Sequence, residues 1–119
     1  MRAVRKKKKQ SHLEEAFERQ IKICVLPEPV REYVFHRFQF DFAWPAWKIF
    51  LEIDGGTYKK GAHVIGKGYE RDCRKNNLAQ AEGWVVLRAD RNMVYTFGPV
   101  VKRMIQKRIM WKKNKSLPY

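Results

Sequence analysis

The chain has 119 residues, a length that suits a single domain. Apolar residues make up 45% of it and aromatic residues 13%, which is enough for a packed core. No run approaches the ~18 consecutive apolar residues that a membrane-spanning helix needs, and the basic N-terminus is not followed by the apolar stretch of a signal peptide. These features exclude a transmembrane helix, and we expect a soluble, intracellular protein.

Charge narrows the choice of partner. Lysine and arginine number 26 against 12 acidic residues, for a net charge of +14. Residues 1–10 hold no acid and none follows Asp90, so both ends are polycationic. Such a charge attracts phosphate backbones. No basic amphipathic helix has the bulky apolar face that inserts into a membrane, so the charge favours a nucleic-acid partner.

The chain is expected to form one domain over residues 11–113, without internal repeats. Residues 1–10 are predicted to be a disordered basic arm, and residues 114–119 a basic tail. The two cysteines, Cys24 and Cys73, fit no metal-ligand spacing and no disulfide framework. We expect both to be reduced and partly buried.

In chain order, the first predicted element is a helix that begins at Ser11, a good N-cap residue, and ends in a turn at residues 26–29. Its apolar residues recur at helical spacing, at Leu13, Ala16, Phe17, Ile21 and Cys24. Three strand-like runs follow at residues 31–36, 37–44 and 48–54, the first two joined by a tight connection. Two glycines end the third run.

The second and third runs alternate between two faces, as half-buried strands do. In the second, four aromatic residues share one face: Phe38, Phe40, Phe42 and Trp44. Asp41 lies on the opposite face. In the third, the aliphatic face holds Ile49, Leu51 and Ile53. Glu52 and Asp54 lie on its other face.

The rest of the chain starts with a loop rich in glycine and lysine at residues 57–68. A helix is predicted over residues 69–82 with Gly83 as its C-cap, then a short buried strand over residues 84–88 and a last helix over residues 94–112. The inner face of that last helix carries Phe97, Val101, Met104 and Ile105. The predicted fold is α/β: a small mixed sheet flanked by helices, in the order helix, three strands, helix, strand, helix.

Three carboxylates on neighbouring strands form the candidate site. If the second and third strands are antiparallel neighbours, Asp41 and Glu52 converge on one face and Asp54 points the same way. Crowded carboxylates repel one another unless a cation joins them, and oxygen ligands suit Mg²⁺ or Mn²⁺. Phosphodiester hydrolysis uses such a metal. The alternative is three solvated acids on an exposed face, but acids embedded in apolar runs are costly without a partner, which favours the metal site.

These motifs carry a resemblance to a known superfamily. They are Phe40-Asp41-Phe42-Ala43-Trp44-Pro45, Leu51-Glu52-Ile53-Asp54-Gly55-Gly56, His63, Asp72-Cys73-Arg74-Lys75-Asn76 and Gly83-Trp84-Val85-Val86-Leu87-Arg88. In order and spacing they resemble the PD-(D/E)XK nuclease superfamily, with its restriction-endonuclease-like core, and small phage-encoded members of it. The size and basic ends look most like archaeal-type Holliday-junction-resolving enzymes. The resemblance covers roughly residues 11–90.

The resemblance implies that Asp41 and Glu52 bind Mg²⁺, with Mn²⁺ as a possible substitute, and that the backbone carbonyl of Ile53 supplies a third oxygen. Asp54 departs from the family pattern, because it stands where the family usually has a catalytic lysine. Either Asp54 is an added ligand, or the positive charge comes from elsewhere. Some relatives take this lysine from the following helix, which makes Lys75 the best candidate.

Other residues have two interpretations each. Asp72 and Lys75 lie three apart on one helix face, so they can also form an exposed intrahelical ion pair. Glu14 matches the family's first-helix glutamate, with Glu15 and Glu18 as substitutes, but it can equally form a capping box with Ser11. His63 is either a general acid–base or phosphate contact, or a loop histidine without a role.

The basic side chains near the site and in the arm are expected to grip DNA phosphates without reading sequence. They are Arg5, Lys6, Lys7, Lys8, Lys9, Lys59, Lys60, Lys67, Arg71 and Arg74.

The sequence therefore predicts a metal-dependent, structure-selective DNA endonuclease, most similar to enzymes that cut four-way junctions. Paired cuts in a near-symmetric junction imply a C2 homodimer, for which Trp47, Tyr58 or the last helix can supply the interface. One alternative is a nuclease of the same fold that acts on mismatches, flaps or ends. Another is a basic nucleic-acid-binding protein without catalysis.

Overall fold

The computed structural model of the chain describes residues 12–55 and 67–114, apart from the side chain of Lys67. The helices are α1 (His12–Ile23), α2 (Lys67–Ala81) and α3 (Gly98–Lys113), and the strands are β1 (Val30–Phe35), β2 (Phe38–Trp44), β3 (Ile49–Asp54) and β4 (Val85–Asp90). Short 3-10 turns lie at Pro45–Trp47 and Val94–Thr96. The predicted α/β class and element order are confirmed.

The four strands form one mixed sheet in the order β1-β2-β3-β4. Strands β1, β2 and β3 are antiparallel neighbours, whereas β4 runs parallel to β3. A parallel pair needs a crossover connection, and α2 lies within it. Strands β3 and β4 therefore end at the same edge of the sheet, where Glu52 is paired with Arg88 and Asp54 with Asp90.

Helices cover both faces of the sheet, so the core has two parts. The part on one face, here called the α1–α3 core, includes Phe17, Phe42, Trp44, Ile49, Leu51, Val101 and Ile105. The part under α2, here called the aromatic core, consists of Phe35, Phe40, Ala43, Phe50, Ala79 and Trp84. In the aromatic core the ring of Phe50 stacks between Phe40 and Trp84, with centroid distances of 3.8 and 3.9 Å.

Strand β2 does not keep the alternation predicted for it. Phe42 and Trp44 lie in the α1–α3 core, but Phe40 lies in the aromatic core on the other side of the sheet. The prediction of a single aromatic face is therefore wrong. The change of face falls at Asp41, because its amide bonds to a side chain instead of a strand carbonyl and because Glu32, opposite it on β1, has a left-handed backbone with φ of 52°.

Two predicted boundaries also differ. Helix α3 begins at Gly98 rather than at residue 94, because residues 94–96 form a 3-10 turn and Pro99, which lacks an amide hydrogen, fits the first turn of a helix. Strand β4 extends to Asp90 and is half-buried rather than buried, since it forms one edge of the sheet. Lys67 belongs to α2 rather than to the preceding loop.

Several local predictions are confirmed. Gly83 follows α2 with a φ of 89°, a conformation that glycine adopts without strain, and its amide donates to the Gln80 carbonyl at 3.0 Å. Cys24 and Cys73 are free thiols and half-buried. The predictions for residues 1–10, for the Ser11 cap and for most of the basic tail fall outside the described residues. No helix within the described ranges has the length and apolar character to span a membrane.

The aromatic core yields a stability prediction. Phe50→Ala should lower the free energy of unfolding by about 3–5 kcal/mol, because the truncated side chain leaves a cavity between two stacked rings. Urea denaturation followed by circular dichroism measures the change. Met110→Ala, at a side chain that is 67% exposed on α3, is the control and should change stability by less than about 0.5 kcal/mol. Equal losses in both variants would contradict this account of the core.

Candidate active site

Asp41 on β2 and Glu52 on β3 are joined by two crossed hydrogen bonds. The Ile53 amide donates to Asp41 Oδ2 at 2.8 Å, and the Asp41 amide donates to Glu52 Oε1 at 2.9 Å. The regular β2–β3 pairing covers Phe42 to Trp44, so the two side chains continue the hydrogen bonding where the backbone ladder ends. The structure thus brings together the two acids that the sequence placed on adjacent strands.

The electrostatics of this pair disfavour ionisation. Burial raises the pKa of Asp41, and the nearby charge of Glu14 raises it further, against the lowering effect of the Ile53 amide. Burial, followed by the charge of Asp41, raises the pKa of Glu52 to about 7 even though Lys75 opposes the shift. Two carboxylates that resist ionisation are stabilised as anions when a cation binds between them.

Lys75 projects from α2 onto this pair. Its Nζ contacts Glu52 Oε2 and lies 4.3 Å from the centroid of the Phe40 ring, and its side chain is only 12% exposed. The alternative of an exposed ion pair between Asp72 and Lys75 is wrong. Lys75 pairs with Glu52 on β3, and Asp72 pairs with Arg88 on β4. The lysine predicted to replace the usual catalytic one therefore lies beside the candidate carboxylates.

Asp54 has a different partner from the other two acids. Arg88 on β4 donates to Asp54 Oδ2 from Nε at 3.0 Å and to Oδ1 from Nη2 at 2.8 Å. The same Nη2 lies 3.0 Å from Asp72 Oδ2 on α2. Both oxygens of Asp54 are thus engaged by an arginine of β4, so Asp54 is bonded to a different group from the one that joins Asp41, Glu52 and Lys75.

Arg88 ends one of the motifs of the family resemblance, but no role was predicted for it. Burial by itself would lower the pKa of this guanidinium, but its bonds to Asp54 and the charges of Asp54 and Asp72 raise the pKa overall. The signal was present, since Arg88 follows a continuous apolar run. Finding its partner required knowing that β4 runs parallel beside β3.

Glu14 is brought to the site by close packing of α1 on the end of β3. A Cβ added to Gly55 would lie 2.6 Å from Leu13 Cδ1, so only glycine allows this approach without a shift. Glu14 is then near enough for its charge to act on Asp41. The competing role in a capping box involves Ser11, which is outside the described residues.

The Asp41–Glu52 pair fits the way in which proteins commonly bind Mg²⁺. Among the residues that the structure describes, no group of three or more His, Cys, Asp or Glu side chains is arranged to hold a metal. Mg²⁺ is commonly bound through one or two carboxylates, with waters and substrate phosphates completing the shell. Asp41 and Glu52 match that mode, and the Ile53 carbonyl remains the predicted third oxygen.

Most of the residues predicted to contact DNA lie outside the part of the chain that the structure describes. His63, Lys59, Lys60 and the cations of residues 1–10 lie outside the described ranges, as does the side chain of Lys67. Arg71 is exposed, with its guanidinium 4.9 Å from the Phe38 ring centroid. Arg74 is exposed and bonds to Glu70 one turn earlier in α2.

Helix α3 carries much of the positive charge that the sequence places after Asp90. Its exposed cations are Lys102, Arg103, Lys107, Lys112 and Lys113. Within the described residues none of these five forms an ion pair with an acid, and two of them bond to backbone carbonyls instead, Lys102 to Cys24 and Lys112 to Ala46. The helix lies on the sheet face opposite α2.

The fold has a counterpart among solved structures. It matches the catalytic domain of the homing endonuclease I-Bth0305I with a TM-score of 0.54 and 16% sequence identity, over 85% of this chain and 94% of that one. At this level of identity the likeness shows a shared fold. No protein-family model and no curated protein matches the chain.

The raised pKa of Glu52 predicts how stability depends on pH. In the metal-free folded protein Glu52 titrates at about 7, whereas in the unfolded chain it titrates near its usual ~4.3. The folded state therefore holds an extra proton between these values, so stability falls as pH rises through this window. Glu52→Gln removes this titration.

We expect the unfolding free energy of the wild type to fall by up to about 3 kcal/mol relative to that of Glu52→Gln between pH 4 and pH 8, the linkage from this one group. Denaturation in the presence of a chelator measures both curves. Curves that stay parallel across the window would contradict the burial of an ionisable Glu52.

Proposed function

We propose that the chain is a divalent-metal-dependent DNA endonuclease of the PD-(D/E)XK type. The observation that carries the proposal is the half-buried pair of Asp41 and Glu52, whose carboxylates accept crossed bonds from backbone amides and whose Glu52 is bound by Lys75. A half-buried acid pair with a lysine on it is costly to maintain for stability alone. Sharing its fold with an endonuclease catalytic domain supports the same class of activity.

The arrangement divides the chemistry among three side chains. Asp41 and Glu52 would hold Mg²⁺, which when bound polarises the phosphate and lowers the pKa of an attacking water. The two backbone amides fix one oxygen of each carboxylate, so the pair is preorganised for its ligand. Lys75, held over the Phe40 ring, brings a positive charge to the place where a phosphate oxygen would approach the acids.

Charge distribution supports a DNA substrate. The protein as a whole is strongly cationic, yet the pair and the charged residues around it comprise five carboxylates and two cations: Glu14, Asp41, Glu52, Asp54, Asp72, Lys75 and Arg88. A basic exterior attracts the phosphate backbone, while an acidic centre favours a divalent cation. The four exposed lysines and Arg103 of α3 extend the basic exterior to the other face of the sheet.

Within this class we propose four-way junctions as the substrate and a C2 homodimer as the active form. The support is the family resemblance of the motifs and the need for two symmetric cuts, each leaving 5′-phosphate and 3′-hydroxyl ends. For the dimer surface, Trp47 is half-buried against the α1–α3 core and so offers little area. Helix α3 offers more, since Val100 and Met110 are 44% and 67% exposed.

Asp41→Asn tests the metal pair directly. It should reduce Mg²⁺-dependent cleavage by at least about 100-fold, because removing even an outer-shell partner of a ligand commonly costs ~10–100-fold. Junction binding should be retained or strengthened, because a negative charge near the phosphates is lost. Cleavage of labelled DNA and gel-shift titration give the two readouts.

Glu28→Gln is the matched control, since Glu28 is an exposed acid outside the site that pairs with Arg31. If the protein is instead a non-catalytic basic protein, it should bind DNA in a salt-sensitive way without metal-dependent cleavage, and Asp41→Asn should change nothing. If the protein does cleave DNA and Asp41→Asn leaves cleavage unchanged, the proposed site is rejected.

A panel of substrates tests the junction preference. Matched four-way, flap, mismatched, nicked and linear duplex DNA should be incubated with the protein and Mg²⁺, and the four-way junction should be cut fastest, at paired positions. Sedimentation of the protein should show a dimer. Equal cutting of linear duplex would leave the nuclease in place and reject junction selectivity, and faster cutting of flaps or mismatches would assign those substrates instead.

A further inference from the structure

Arg88 links three elements at the edge of the sheet. It stands on β4, binds Asp54 on β3 through two hydrogen bonds, and reaches Asp72 on α2. Arg88 ends one of the motifs of the family resemblance, which gave it no role, and it lies beside Glu52 in the register of the parallel strands. The ion-paired group is therefore next to the candidate active site but does not share its carboxylates.

This group is not a surface ion pair of the usual weak kind. The side chains of Arg88, Asp54 and Asp72 are 32%, 32% and 37% exposed, whereas the Arg74–Glu70 pair of the same helix is 70% and 60% exposed. Bidentate arginine–carboxylate contacts also fix geometry, since the guanidinium plane and the carboxylate plane must align. The bidentate contact with Asp54 thus holds the guanidinium of Arg88 in place on the sheet, and its single contact with Asp72 at 3.0 Å ties α2 to that point.

Apolar packing cannot perform that task at this end of α2. Between Gly68 and Leu78 the helix has no fully buried residue, and the first one is Ala79, in the aromatic core. The face that this segment turns to the sheet carries polar groups instead, chiefly Asp72 and Lys75. Ionic contacts therefore hold the N-terminal part of α2 against β3 and β4.

Lys75 depends on the same stretch of helix. Residues three apart lie on one face of a helix, so the contact of Asp72 with Arg88 fixes the rotation that aims Lys75 at Glu52. The two contacts also share a strand: Glu52 and Asp54 lie two residues apart on the same face of β3. A shift of α2 away from Arg88 would withdraw the ammonium group from the acid pair.

We propose that Arg88 is the positioning residue for Lys75, with Asp54 as its anchor on β3 and Asp72 as its contact on α2. Asp54 stands where the PD-(D/E)XK pattern has a lysine. In this chain Asp54 holds Arg88, and Arg88 positions Lys75, the lysine proposed as the substitute. The catalytic consequence, that loss of Arg88 slows cleavage, rests on the proposed nuclease function. The structural consequence, that loss of Arg88 releases Lys75 from Glu52, does not.

The structural consequence is tested by the reactivity of Lys75 in the metal-free protein. An amine-acylating reagent with mass-spectrometric readout reports how fast each lysine is modified. Arg88→Met keeps a long side chain but removes the charge, and it should increase the labelling rate of Lys75 severalfold. Asp72→Asn should do the same while leaving the Asp54–Arg88 contact in place, and Arg88→Lys should restore partial protection.

Two controls exclude general loosening. Arg74→Met breaks an exposed ion pair on the same helix and should leave Lys75 labelling unchanged. Lys48, half-buried with its Nζ bonded to the Glu82 carbonyl at 3.1 Å, is the internal reference and should keep its rate in every folded variant. Unchanged Lys75 labelling in both Arg88→Met and Asp72→Asn would overturn the proposal, whether or not the protein cleaves DNA.

Cleavage kinetics test the catalytic consequence. Arg88→Met should lower kcat by about tenfold, the lower end of the range for outer-shell partners, with KM for DNA and the Mg²⁺ concentration for half-maximal activity unchanged. Asp54→Asn should behave in the same way. If Asp54→Asn instead raises the Mg²⁺ requirement, Asp54 is a metal ligand and the positioning role of this group is rejected.

Discussion

The crossed hydrogen bonds between Asp41 and Glu52 are the interaction on which the rest of the site depends. Each carboxylate takes the place of a strand carbonyl at the point where β2 and β3 stop pairing through their backbones. This satisfies two amides that would otherwise be unpaired, and it buries two like charges side by side. The local cost of that repulsion is the reason for proposing that a cation binds at this pair. It also breaks the alternation of β2, which sends Phe40 into the aromatic core beneath Lys75.

The charged residues of the protein fall into two groups, one beside this pair and one on the exposed surface of α3. Lys75 and Arg88 are each matched to acids on the sheet, and they join α2 to β3 and β4 where that helix has little apolar contact. The cations near the site thus bond to acids of the sheet, whereas the exposed cations of α3 form no ion pair with an acid within the described residues. A basic protein can in this way keep an acidic centre.

Much of the fold followed from residue spacing. The apolar stripe of α1 and the alternation of β3 predicted both elements, the buried face of α1, and the aliphatic face of β3 that packs in the α1–α3 core. The second buried face of β3, with Phe50 in the aromatic core, was not predicted. The single aromatic face assigned to β2 was an error of the same method. Periodicity assumes a regular backbone, and side-chain hydrogen bonds at Asp41 interrupt it. The start of α3 was misplaced because a 3-10 turn has nearly the same apolar spacing as a helix.

The sequence by itself determined the class of fold, the two strands that carry the acids, and the nearness of Asp41 to Glu52, since all three depend on local periodicity and on neighbours along the chain. The family resemblance pointed to Lys75 as the cation of the site, but only the tertiary structure decided that it binds Glu52 and that Asp54 receives Arg88 instead. Lys75 is 23 residues from Glu52 and Arg88 is 34 residues from Asp54, and both contacts exist because β4 returns parallel to β3 with α2 between them. Charges this far apart in the chain are paired by the packing of helices against strands. The spacing of residues within one helix or strand carries no information about that packing.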